Sequence, residues 1–324
     1  HLMILLNDKK LDDIPADLKR VPIVVNPRDC VPKDYIRNNI KDNLKLIDKN
    51  KFIDKCKIHD EHAIVISGGP NMDYNELKET MKKYPNAFTM CVKHAYPNLI
   101  KNGIKPNSCI LLDPRSIDGE STHGIKRKDL LKDIVPETKF LVASMTDPSV
   151  TNYLIEKKAD IWGWHAFSES LRDDEERKTV IRNNQVKIRD DIGLPAGATL
   201  ITGGTCAAMR AIGMLHTIGF RSIHLFGFEC SLASEPTEAM KKETTGADDE
   251  PKRPKYFQVS LEEKSFWTTG ELLAMAQDCE KTFADNSMGI NFHFYGKNSL
   301  VSAIWEQAVK RETLPSYRKL LNVQ

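Results

Sequence analysis

Residues 63–71 read Ala-Ile-Val-Ile-Ser-Gly-Gly-Pro-Asn: four apolar residues, three of them β-branched, run into a glycine turn. Asn71 stands where a helix would start, ahead of Tyr74, Leu77 and Met81. A buried strand that stops in such a turn and feeds a helix points backbone N–H groups outward, and the helix dipole favours negative charge there. Glycine lets a phosphate come close to the backbone. Ser67, Gly68, Gly69, Pro70 and Asn71 are therefore candidate contacts for a nucleotide phosphate, although many turns of this form bind nothing.

A second glycine turn, Thr202-Gly203-Gly204-Thr205, precedes an apolar helix over 206–218. Its threonines can cap that helix or donate to a phosphate or ribose, and an ordinary capped core helix fits equally well. A strand ends at Gly227 with Glu229 just past it, and Asp113 follows Ile110-Leu111-Leu112 in the same way. A carboxylate so placed holds ribose hydroxyls or a metal, takes a proton, or serves only as a cap or ion-pair partner. His165, after Trp162-Gly163-Trp164, and His293, within Phe292–Gly296, join Asp113 as candidate general bases. His216, on the apolar helix, reads as a core histidine. No G-x-x-x-x-G-K-[ST], G-x-G-x-x-G after the first strand, H-E-x-x-H or G-x-S-x-G occurs, so P-loop chemistry is unsupported and an NAD(P) reading is weakened.

The elements that must position these residues alternate. Short apolar runs predict strands over 63–67, 87–92, 109–112, 139–143, 159–162, 222–226 and 290–295. Helical spacing predicts helices over 72–84, 94–102, 148–157, 167–180, 204–218, 268–284 and 300–312. The expected fold is α/β, a Rossmann-like, mostly parallel sheet with helices on both faces. Ligands of such sheets lie beyond the carboxyl ends of the strands. That places Gly68–Pro70, Asp113, Ser144–Asp147, Trp162–His165 and Gly227–Cys230 on one edge, with the two glycine turns expected side by side. Residues 1–60 read as an N-terminal extension with an amphipathic stretch over 34–57, and 61–315 as the nucleotide-binding transferase domain. Residues 231–258 are polar, contain Pro236, Gly246, Pro251 and Pro254, and read as a lid-like insertion.

The 324 residues suffice for one large domain or two. An apolar fraction of 40%, a charged fraction of 28% and a net charge of +2 are ordinary for a soluble protein and give no global reason to bind nucleic acid or membrane. The basic runs Lys126-Arg127-Lys128, Lys241-Lys242 and Lys252–Lys255 read as solvated loops rather than phosphate patches. Seven scattered cysteines without C-x-x-C suggest reduced thiols, and with no signal peptide or long apolar run the expected location is the cytoplasm.

Taken in order, the motifs resemble a known family. Ser67-Gly68-Gly69-Pro70-Asn71 is similar to the G-x-G-P-S motif of the 6-hydroxymethylpterin diphosphokinase MptE-like family, which includes the motility accessory factors linked to flagellin glycosylation. The motif order is also similar to that of bacterial CMP-sialic acid sialyltransferases. His94-Ala95-Tyr96, Leu99 and Gly103–Pro106 resemble N-R-A-Y…L…G-I-K-P, and Leu112-Asp113-Pro114 resembles the strand-end D-P. Thr202–Thr205 through Gly219-Phe220 and His224–Glu229 resemble T-G-G-T…L-G-F…I-x-L-x-G-x-D. The resemblance covers about residues 60–305 and departs at Lys93, where the family has Asn, at Asn71 for Ser, and at Glu229 for Asp.

By resemblance, Gly68 and Gly69 lie near the nucleotide phosphates, Thr202, Gly203 and Gly204 near ribose or phosphate, Gly227 and Glu229 near the nucleoside, and Asp113 at the reacting end. Lys93 adds positive charge beside the phosphates. The expected activity is a transferase using a nucleotide-activated donor, a glycosyltransferase with a nucleotide sugar being favoured. Its acceptor is a protein, a small molecule or a modified nucleic-acid base. The alternative is an ATP-dependent diphosphokinase acting on a pterin-like alcohol, with Mg²⁺ held by Asp113, Glu229 and Asp147. A non-catalytic nucleotide-binding protein is the third possibility.

Overall fold

A computed structural model describes residues 3–5, 31–69, 71–121, 124–167, 194–204, 206–246, 252–283 and 288–310. Pro70, Thr205 and most of the helix expected over 167–180 lie outside these residues.

The strands of the main sheet are β2 (His62–Ile66), β3 (Phe88–Val92), β4 (Ser108–Leu111), β5 (Lys139–Ala143), β6 (Asp160–Ala166), β7 (Leu200–Ile201), β8 (Ser222–Phe226) and β13 (Asn291–Phe294). Their order is β13-β8-β2-β3-β4-β5-β6-β7. Every pairing from β2 to β7 is parallel. Ala63–Ile66, Met90, Cys91, Cys109, Ile110, Phe140 and Val142 are buried, as strands covered on both faces must be. Right-handed crossovers from β2 outward put the intervening helices on one face. The helix Ala207–Thr217 runs back across β7, β4, β3 and β2 and takes the other. The expected α/β, Rossmann-like architecture is thus realised.

The chain divides into two compact units, one of residues 28–68 and 79–223, the other of 1–27, 69–78 and 224–324. In the first, the helix Lys33–Leu46 buries Ile36, Asn39, Ile40 and Asn43 on one stripe. Asn39 Nδ2 donates to the carbonyls of Pro114 and Met145, and Asn43 Nδ2 to those of Ser144 and Thr146. The loops that leave β4 and β5 are thereby tied to a helix placed before the sheet begins. Phe52 pairs with Gly163 beside the first half of β6, and Ile53 N–H donates to the Gly163 carbonyl at 2.8 Å. β7 covers only the last two residues of β6. Gly163 is required there, since a Cβ would lie 2.4 Å from the Phe52 ring.

In the other unit, β1 (Met3–Leu5), β11 (Tyr256–Leu261) and β12 (Lys264–Thr269) form an antiparallel sheet in the order β1-β11-β12. A small ladder joins β9 (Thr244–Thr245) to β10 (Arg253–Pro254). Two local expectations are corrected. Residues 256–258, expected in the lid-like insertion, and Thr268 and Thr269, expected to open a helix, belong to a hairpin over 256–269 closed at Glu262–Glu263, whose alternation lacks the Gly or Asn that marks such turns. The strand expected over 159–162 continues to Ala166, so Trp162–His165 belong to β6 and do not lie beyond it.

Candidate functional site

Because β2 to β7 are parallel, the carboxyl ends of these strands share one edge. β2 stands where the strand order reverses, the position at which α/β sheets gather ligands. Gly68, just past β2, is exposed, and a Cβ on it would meet the His94 Cβ at 3.2 Å. The loop after β3 therefore leans on the glycine turn. Lys93, in that loop, and Asp113, past β4, form an ion pair with Nζ 3.1 Å from Oδ2.

Asp113 has two further partners that sequence reasoning missed. Arg115 Nε donates to Oδ1 at 2.8 Å and Nη2 to Oδ2 at 3.0 Å. Arg127 Nε donates to Oδ2 at 2.9 Å. Bonds between the described residues on the two sides of the 115–127 segment deliver both: Arg127 N–H donates to the Gly119 carbonyl, Arg127 Nη1 to the Ser116 carbonyl, and Ser121 N–H to the Ile125 carbonyl. Gly119 clears the way, since a Cβ there would lie 2.3 Å from Arg127 Nη1. Burial pushes Asp113 up, but the Arg115 hydrogen bonds and the Lys93 charge outweigh it and hold the carboxyl far below the usual range. Desolvation lowers Lys93, against the pull of Asp113. The only advance signals were the D-P-R sequence and the basic run at 126–128. A carboxylate committed to three cations neither takes a proton near neutral pH nor attracts Mg²⁺.

In the other unit, Gly69 N–H donates to the Gly227 carbonyl at 2.8 Å. A Cβ on Gly69 would lie 2.4 Å from that oxygen and 2.6 Å from Glu229 Oε2, and one on Gly296 would lie 2.3 Å from Glu229 Oε1. Glycines distant in sequence thus close on one carboxyl group. Glu229 is 2% exposed. Burial raises it to about 7, partly offset by the backbone N–H groups of Glu229 and Gly227. Glu229 Oε1 and Asn71 Nδ2 are buried without a hydrogen-bond partner. Such orphaned groups are few in native proteins.

The remaining candidates are placed elsewhere. Five strand steps separate the ends of β2 and β7, about 24 Å at sheet spacing. The two glycine turns lie on the same edge but not side by side, because the strands they follow stand at the two ends of the row from β2 to β7. Gly203 (φ 152°) packs on Arg210, whose Cδ a Cβ would meet at 2.8 Å. Arg210 Nη1 donates to the Ile201 carbonyl, and Gly213 lets the helix settle onto the Thr202 carbonyl. Thr202, Gly203 and Gly204 thus border a strand–helix packing joint. His165 is buried, stacks on Phe52 with centroids 4.7 Å apart, and has Nδ1 3.0 Å from Ser144 Oγ. Desolvation drops it to about 4, so it is neutral at pH 7. His293 is half-buried and stacks on His224, whose Nδ1 is 2.8 Å from the Tyr295 hydroxyl.

Fold and turn define an α/β protein of the Rossmann-like class with a strand–glycine–helix turn at the carboxyl edge of its sheet. The chain belongs to the 6-hydroxymethylpterin diphosphokinase MptE-like family, whose model matches residues 35–235. A comparison with curated proteins gives no match. Among solved structures, the MAf glycosyltransferase from Magnetospirillum magneticum AMB-1 is similar at 11% identity, with a TM-score of 0.49 over 94% of this chain and 44% of that one. The chain thus spans less than half of that structure's length. No helix among the described residues is long and apolar enough to cross a membrane.

Proposed function

We propose that the protein is a transferase using a nucleotide-activated donor, with a nucleotide sugar favoured. The observation that carries this is the pair of orphaned buried polar atoms, Asn71 Nδ2 and Glu229 Oε1, in the unit that holds Gly69. Asn71 Nδ2 is a donor, Glu229 Oε1 accepts when ionised and can donate when the carboxyl is protonated, and a nucleoside offers partners to both. Membership of a family named for a diphosphokinase supports nucleotide-dependent group transfer. Of the three proton-acceptor candidates, Asp113 is bound by cations, His165 is shut in the core and His293 stacks on the fully buried His224, so none of them is assigned the role.

Transfer of a diphosphoryl group from ATP is less favoured, since Asp113 has no spare charge for Mg²⁺. A nucleic-acid acceptor is also less favoured: Lys241 pairs with Glu235 and Glu238, and Lys255 with Glu243. Melting of the protein with CMP, UDP, GDP and ATP tests donor binding. Stabilisation by one, followed by release of CMP, UDP or GDP from a cognate nucleotide sugar, is expected. AMP release from ATP with absolute Mg²⁺ dependence would move the assignment to a diphosphokinase, and no response to any nucleotide would end both.

A further inference from the structure

Left-handed backbone gathers around the Glu229 carboxyl. Gly227 (φ 65°) and Cys230 (φ 55°) flank it in its own loop, while Gly296 (φ 99°) and Asn298 (φ 54°) lie in the loop that meets it after β13. Cys230 and Asn298 hold a conformation that is costly for a residue with a side chain. Bonds between the two loops keep them there. Ser231 Oγ donates to the Asn298 carbonyl, Asn298 Nδ2 to the Leu232 carbonyl at 2.9 Å, and Val301 N–H to the Glu229 carbonyl at 3.2 Å. Strain held in place by its surroundings collects at ligand clamps. Gly296, whose Cβ would press on Oε1, is itself exposed, so the carboxyl lies one glycine beneath the surface.

Among the described residues no cation pairs with Glu229, and its carboxyl is governed by burial and by the backbone N–H groups of Glu229 and Gly227. The elements that meet it carry their own titratable groups, and most of these are engaged. Asp73 accepts from the Asn75 and Glu76 N–H groups, the Tyr295 hydroxyl bonds His224, His293 stacks on His224, and Glu306 pairs with Lys264, while Lys297 is exposed. A carboxylate buried without a counter-charge is costly, and it would also repel the phosphates of an arriving nucleotide; the acid form has neither drawback. Oε1 makes no hydrogen bond, which leaves that oxygen to carry the proton, and Asn71 Nδ2 is a second donor without a partner in the same unit.

We propose that Glu229 receives its ligand in the acid form, with Oε1–H and Asn71 Nδ2 both donating to acceptor atoms of the nucleoside, so that nucleotide binding carries a proton into the site. Naming the ligand a nucleotide rests on the transferase reading; the acid form of the carboxyl does not.

Calorimetric titration of the full chain with CMP, UDP, GDP and ATP between pH 7 and pH 8.5 tests this, in a range above the titration of phosphate itself at about pH 6. The free carboxyl is half ionised at about pH 7, so affinity should fall about fifteenfold from pH 7 to pH 8.5. Heats taken at pH 8 in buffers of different ionisation enthalpy should show uptake of about 0.9 proton per nucleotide. Glu229→Gln, neutral and still a donor, should bind with an affinity independent of pH, take up no proton, and exceed the wild type at pH 8.5. A wild-type affinity that does not change with pH, or a pH dependence that survives in Glu229→Gln, would overturn the acid form and leave nucleotide binding standing. The proton count on the wild type decides the matter even where the variant does not fold. Failure of every nucleotide to bind at any pH would end the transferase reading and this proposal with it.

Discussion

Glu229→Gln should remove a pH dependence of stability that the wild-type protein carries. The buried carboxyl has a pKa of about 7 in the folded chain against an ordinary 4.5. Because the folded value is raised, its stabilising contribution is complete below pH 4.5 and is lost as pH rises through 7. Between those values the unfolded chain gives up the proton that the folded chain keeps. At about 1.36 kcal/mol per pKa unit, the gap corresponds to roughly 3 kcal/mol. Glutamine is neutral throughout, so wild-type minus variant stability should fall by about 3 kcal/mol between pH 4 and pH 8.5. The difference must be taken, because His165 works in the opposite direction. Its pKa is depressed to about 4 from 6.5, so its contribution is present above pH 6.5 and lost as pH falls toward 4. Between pH 4.5 and 6.5 the two slopes oppose each other and flatten the raw profile. Urea unfolding of both proteins at closely spaced pH values measures the difference. A difference constant to within about 0.5 kcal/mol across the range would refute the burial of a protonated carboxyl at this position.

Gly69→Ala should cost about 2 kcal/mol or more in unfolding free energy, because its Cβ meets the fixed Gly227 carbonyl at 2.4 Å. Gly68→Ala, 3.2 Å from a side-chain atom, should cost under about 1 kcal/mol, and urea unfolding of the pair separates the two sides of the turn. Gly119→Ala should displace Arg127 from Asp113 and cost about 1.5–3 kcal/mol in urea unfolding, while leaving the Lys93–Asp113 pair in place. Asn43→Leu should destabilise by about 2–3 kcal/mol, since the buried carbonyls of Ser144 and Thr146 and the Thr151 hydroxyl lose their partner. A melting temperature within error of wild type would contradict that bond set.

The sheet was legible because β2 to β6 and β8 rest on short apolar runs and most of the connections between them have helical spacing. The turn after β2 was legible for the same reason: strand, glycines and helix start are adjacent in sequence. Adjacency is also where the reading stops. Gly69, Glu229 and Gly296 close on one another across more than two-thirds of the chain, and no local pattern records it. Arg127 sits in a run of three basic residues that looks solvated, and only its bonds to Ser116, Gly119 and Asp113 turn it inward. The side-by-side placement of the glycine turns failed because strand order is a long-range property, and β7, only two residues long, carries no periodic signal.

Phe52 and Ile53 lie along the half of β6 that β7 leaves bare, and Gly163 exists to admit them. A version of the protein cut to begin at residue 61 would therefore uncover the flank of β6 around Gly163, beside the β7 end of the sheet. Open strand flanks of that kind recruit other chains and seed aggregation. The segment ahead of the first glycine turn thus shields that flank within the same polypeptide, and trimming it away would favour insoluble material over a smaller folded chain.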